Sequence, residues 1–92
     1  MKNLNIKNYK GNELNKIKLI KDINLGDYKL LNEDYNNELP LYVDNINGNA
    51  IIKKGNELYY GNNPFNGADI IMDDNENSLD IYLDENDYII LK

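Results

Sequence analysis

Eight carboxylates crowd into residues 69–87 of this chain: Asp69, Asp73, Asp74, Glu76, Asp80, Asp84, Glu85 and Asp87. No lysine falls among them, and Lys92 is the next base along the chain. Three chemistries suit such a set. Two carboxylates could divide the acid and base roles of glycoside hydrolysis. Oxygens at alternate positions could hold calcium. A dense negative field could draw in a basic partner. The first possibility carries little information, because carboxylates are the commonest charged groups of this chain and neighbouring pairs are inevitable. Nucleophilic catalysis lacks material: Ser78 is the only serine, and no histidine exists to activate it. No enzyme is expected.

The calcium possibility rests on Asp73, Asn75 and Asn77 followed by Asp84. Three positions argue against it. Ser78 stands where such a loop needs glycine for its sharp turn, Asp80 stands where an apolar residue belongs, and Asp84 is too short for the closing bidentate grip. With neither cysteine nor histidine, zinc sites and disulfides are excluded on ligand grounds. No metal or cofactor is expected.

The docking possibility remains. Like charges in this density repel one another and destabilise the fold unless something offsets them. Asp73, Asp74, Glu76, Asp80, Asp84, Glu85 and Asp87 would supply the field, and Tyr82, placed by alternation between Asp80 and Asp84, would supply a central apolar contact. Same-face residues on a strand lie about 6.7 Å apart, roughly two of the ~3.4 Å per-strand charge steps of B-DNA. Such a face could imitate a phosphate row. The expected partner is therefore a basic protein, a nucleic-acid-binding protein or nuclease. The competing explanation is solubility and protection of sheet edges. Direct nucleic-acid binding is not expected, because the lysine stripe of Lys7, Lys10, Lys16, Lys18 and Lys21 with Tyr9 has no arginine to support it.

The elements that must position these groups are short and mostly extended. Leu79, Ile81 and Leu83 alternate with Asp80, Tyr82 and Asp84, as in a half-buried antiparallel strand, and Tyr88 to Leu91 form a second apolar run; together they predict a hairpin over 79–91. Residues 4–9 predict a first strand, with a turn at Lys10, Gly11 and Asn12. Residues 13–25 read as strand, with only Lys21 misplaced on the apolar face, though Asn12 and Gly26 would also suit the two ends of a helix. Tyr28, Leu31, Tyr35 and Leu39 recur at helical spacing behind Asp27 as N-cap, predicting one helix around 27–39 that Asn36, Asn37 and Pro40 end. Leu41, Tyr42 and Val43 read as a strand, Asn47-Gly48 as a type I′ hairpin turn, 50–53 as its return, 58–60 as another strand and 61–67 as a loop. Ala68 to Met72 begins the acidic portion as a strand. The fold expected is a single domain over 1–92, mainly β, a small antiparallel sheet or barrel-like meander with at most this one helix.

Charge is unevenly divided. Residues 1–30 hold seven lysines against three acids, a balance of +4, whereas residues 31–92 hold three lysines against thirteen acids, a balance of −10. The abundance of Asn, Ile, Lys and Tyr, with no Arg, reads as AT-rich coding and so as a low-GC bacterium or its phage. The first residues carry lysines but no apolar core, and the longest apolar run is far short of a membrane span, so a cytoplasmic protein is expected. A phage inhibitor of a host defence nuclease, including an anti-CRISPR protein, and a nuclease immunity protein or antitoxin fit these traits equally. A structural module that assembles through the strand edge at Tyr88 to Leu91 is the alternative.

Overall fold

The computed structural model describes residues 4–92, which form nine strands and one helix in two antiparallel sheets. The first strand, β1 (Ile6–Tyr9), turns at Lys10 and Gly11 into the long β2 (Asn12–Leu19). Alternation along β2 buries residues on both sides. Leu14 faces one way and Ile17 and Leu19 the other, and all three are buried. The sheet built around β2 is therefore covered on both faces. Beside β2 lie β6 (Glu57–Asn62), β7 (Asp69–Met72) and β8 (Ser78–Asp80) in that order. On the opposite edge of β2, β1 pairs with its first half and β9 (Tyr88–Ile90) with its second.

The sequence of 13–25 is extended but divided between the two sheets. After Leu19 the chain turns a corner at 20–22, where the Asp22 carboxylate accepts the Lys54 N–H at 2.7 Å, and β3 (Ile23–Asp27) enters the smaller sheet. The apolar parity of Ile17 and Leu19 resumes beyond that corner with Ile23 and Leu25. Lys21, the one residue out of pattern, marks the break. The smaller sheet has the order β3, β5 (Asn49–Ile52), β4 (Asp44–Ile46). Its β4–β5 turn at Asn47 and Gly48 takes φ of 51° and 87°, both positive as a type I′ turn requires.

The helix α1 (Tyr28–Asp34) is capped as the sequence implies: Asp27 Oδ1 accepts the Leu30 N–H at 3.1 Å. It is shorter than 27–39, because Asn36 and Asn37 take left-handed backbone conformations directly after it. Residues 41–43 are not a strand. Val43 N–H closes a turn onto the Pro40 carbonyl and leaves Leu41 97% exposed, so the strand begins only at Asp44.

The main core lies between the two sheets. Ile17, Leu19, Leu58, Ile71 and Leu79 of the large sheet meet Val43, Ala50 and Ile52, and α1 lends Tyr28 and Leu31 to the margin. A second cluster of Leu14, Tyr59, Ile70 and Met72 occupies the outer face of the large sheet. Lys7 and Lys16 lie over the Tyr59 ring with ammonium groups 5.9 and 5.7 Å from its centroid. Their alkyl stems suit the task of covering an apolar face while the charges stay wet. Gly61 belongs to this packing: a Cβ there would stand 2.7 Å from Leu14 Cδ2.

Candidate functional site

The hairpin expected over 79–91 does not form. β8 pairs with β7, giving a hairpin over 69–80, and β9 pairs with β2 on the far side of the sheet. The edge of β2 beside Ile17–Leu19 takes β9 instead, while β8 pairs with β7, whose Ile70, Ile71 and Met72 are all buried. Between β8 and β9 the chain at 81–87 crosses the sheet as a strap. Ile81 N–H still bonds Asp69 O at 3.0 Å, and Leu83 N–H donates to the Tyr60 hydroxyl at 2.8 Å. Ile20 N–H then receives the strap on Asp87 O at 2.9 Å.

This path separates the eight residues expected to share one surface. Asp73, Asp74 and Glu76 lie in the closed end of the β7–β8 hairpin, whereas Tyr82, Asp84, Glu85 and Asp87 lie beyond its open end. Asp80 pairs in register with Ile70 and so shares the outer face, where Asn63 and Asn66 clasp its two oxygens at 3.1 and 3.0 Å. Alternation does hold for Tyr82, which is 81% exposed while its neighbour Leu83 is buried.

The closed end is tied up by its own hydrogen bonds. Asp73 Oδ1 accepts the N–H groups of Asn75 and Asn77, and its Oδ2 accepts the Asn77 side-chain amide, each at 2.9 Å. Asp73, the first of the positions that resembled calcium ligands, thus spends both oxygens on the chain's own donors. Glu76 occupies the left-handed region at φ 62° and pairs with Lys7 at 3.6 Å. Tyr42 fastens this end to the core, its hydroxyl 3.0 Å from Asn77 O and 3.2 Å from Ile71 O. Burial, with the Asp73 charge adding to it, raises the Tyr42 phenol well above its ordinary value.

At the open end lies a shallow, open hollow of about 420 Å³ lined by Tyr60, Asp69, Tyr82, Leu83, Asp84, Glu85 and Tyr88. Each element contributes by its register. Tyr60 and Asp69 sit on adjacent strands on the inner face, and the Tyr60 hydroxyl donates to Asp69 Oδ2 at 2.7 Å. Tyr88 brings its ring from β9 to 5.4 Å from Tyr60, inclined by 61°. The strap places Tyr82, Asp84 and Glu85 at the rim, with Asp84 held by donation from Asn86 N and Nδ2 to its Oδ1 at 2.9 Å. Asp87 Oδ2 in turn accepts Asp84 N–H at 3.0 Å. Burial raises the Tyr60 phenol; the Leu83 N–H opposes that rise, and the bond to Asp69 adds to it. Tyr60 therefore stays a neutral donor to Asp69 across the physiological range.

Three carboxylates and three tyrosines surround this hollow, and no lysine lines it. Among the described residues the ion pairs are Lys7 with Glu76 and Lys53 with Asp44, and neither involves an acid of the strap. Of the expected site residues, the fold brings Tyr82, Asp84 and Glu85 together. The partners missed in the sequence are Tyr60, Tyr88 and Asp69, and no local pattern announces them, because they meet through strand register. No three acidic side chains among the described residues converge on a metal-binding position. No described helix is long and apolar enough to cross a membrane. No known protein family, curated protein or solved structure matches the chain.

Proposed function

We propose that this is a non-enzymatic binding protein whose acidic open end docks on the basic, nucleic-acid-binding surface of a partner and blocks it. One observation carries the reading: Tyr82, 81% exposed, stands at the rim of a hollow lined by Asp69, Asp84 and Glu85 with no base among the lining residues. An exposed tyrosine can act as an interface anchor, with charged groups forming its rim. Long-range attraction between such a rim and a basic surface speeds encounter and weakens with salt. The regular row of charges expected from Asp80 through Asp84 is not part of this reading, because β8 ends at Asp80 and that carboxylate faces away from the hollow. The two settings considered for this reading are a phage-encoded inhibitor of a defence nuclease, such as an anti-CRISPR protein, and a nuclease immunity protein or antitoxin.

The test is capture of partners from a low-GC bacterial lysate at low and high salt, with DNA or RNA added as competitor. A captured nuclease or nucleic-acid-binding protein that nucleic acid displaces supports the reading. Capture that is unaffected by salt and by nucleic acid defeats it. An assembly module is the second reading, favoured by β9, which among the described strands pairs with β2 alone and leaves Ile89 and Ile90 about half exposed. Sedimentation separates the two, since a salt-insensitive homo-oligomer belongs to assembly.

A further inference from the structure

We propose that the hollow between the 81–87 strap and the inner face of the large sheet receives an arginine side chain of the partner. This deepens the docking reading and rests on it. The lining sets three tyrosine side chains beside three carboxylates, and a guanidinium is drawn to both kinds of group. Asp69 and Asp84 each commit one oxygen to an internal donor, Tyr60 to Asp69 Oδ2 and Asn86 to Asp84 Oδ1, which fixes their orientation and leaves the second oxygen for a ligand. Glu85 makes no ion pair among the described residues and adds a third negative charge at the rim.

The choice of guanidinium over ammonium follows from shape and hydration. An arginine head is planar, weakly hydrated and able to lie on a ring while pairing with carboxylates at its edge. A lysine head is a compact and strongly hydrated point charge, better served by a tight ring of oxygens than by an open hollow of about 420 Å³. The occupant must come from another protein. None of these 92 residues is an arginine, so neither they nor a second copy of them can fill the site with that group.

The experiment is an NMR titration of the full chain with N-acetyl-arginine methylamide, with the lysine and citrulline analogues as controls. The expected result is a saturable shift of the Leu83, Asp84, Glu85 and Tyr88 amides by the arginine compound, absent with citrulline and weaker with lysine. Tyr82→Ala and Glu85→Gln change rim residues exposed to solvent and are expected to keep the fold, checked by the unchanged amide spectrum elsewhere, and each should weaken binding about threefold or more, as for loss of one cation–π or ionic contact. Lysine binding as strong as arginine, or shifts spread evenly over 73–76 as well, overturns the proposal. Saturable arginine binding by a protein that captures no basic partner supports the site and defeats the docking reading. Salt-sensitive capture unaffected by Tyr82→Ala and Glu85→Gln, with no arginine response, overturns the site and leaves docking standing.

Discussion

The two acidic connectors at opposite ends of the β7–β8 hairpin have similar compositions and different fates. Residues 73–77 form a closed turn in which Asp73 accepts three hydrogen bonds, Glu76 pairs with Lys7 and Tyr42 reaches the Asn77 carbonyl. Residues 84–87 also bond among themselves, through Asp84 and Asp87, yet they lack a lysine and stand beside three tyrosines. Acidity alone therefore says little about purpose. In the first connector the Asp73 carboxylate accepts from the turn's own N–H groups; in the second a similar network fixes Asp84 at the rim of the hollow. The distinction lies in what surrounds each set: the lysines of β1 and β2 lean over the outer face toward Tyr59, and the inner-face end of the sheet receives none.

The sharpest way to break this comparison is to remove one acid from each end. Asp73→Ala should lower unfolding free energy by about 2–3 kcal/mol in urea titration, since three donors lose a charged acceptor. Glu85→Ala should stay within about 0.5 kcal/mol of the parent. Equal losses at the two positions would mean that both connectors are structural. Next in size is Tyr60→Phe, expected to destabilise by about 1–2 kcal/mol and to speed amide exchange across 81–87, because Leu83 N–H loses its acceptor and Asp69 its donor. Exchange that quickens equally in 73–77 would show the two ends to be coupled.

A pH series sharpens the same contrast, because each end is fastened by one phenol of raised pKa. Both phenols ionise near 10 in the unfolded chain and higher in the folded one. Their contribution to stability is thus complete below about pH 10 and is lost as pH climbs through the folded values. Denaturation midpoints should fall on the alkaline side of 10, and Tyr42→Phe should flatten part of that fall. A flat profile for the parent would remove burial as the cause. The smallest effect belongs to Glu76→Asn, which relieves a left-handed glutamate and loses one exposed ion pair, for a net gain of about 0.5 kcal/mol that grows with salt. A loss at high salt would mean that the Lys7 contact outweighs the strain.

Much of the local order was legible before any coordinates. Asp27 capping α1, Asn47-Gly48 closing β4–β5, and the alternation of Leu79, Asp80, Ile81, Tyr82 and Leu83 between buried and exposed all follow from the preferences of a few residues. The corner at Lys21 and Asp22 was nearly legible, since Lys21 broke an otherwise regular face. The turn at Pro40 was not, because Leu41, Tyr42 and Val43 are good strand formers that a hydrogen bond from Val43 to Pro40 overrides. The changed pairing at the C-terminal end had the largest consequence. Tyr88, Ile89 and Ile90 are as suited to β8 as to β2, and nothing within 79–91 says which edge is open.

The sequence by itself determined composition-level properties: a chain of strands with one capped helix, no thiol or imidazole chemistry, and an acidic half whose charges outnumber its lysines. Only the tertiary structure decided which of those acids stand together and which aromatic residues stand with them. The physical reason is that alternation and turn chemistry act over a few neighbouring residues, whereas strand partnership depends on which buried edges remain unpaired once the rest of the sheet has formed. Tyr60, Asp69, Tyr82 and Tyr88 lie on different strands or between them. Their meeting is a property of that assembled sheet and of no single stretch of chain.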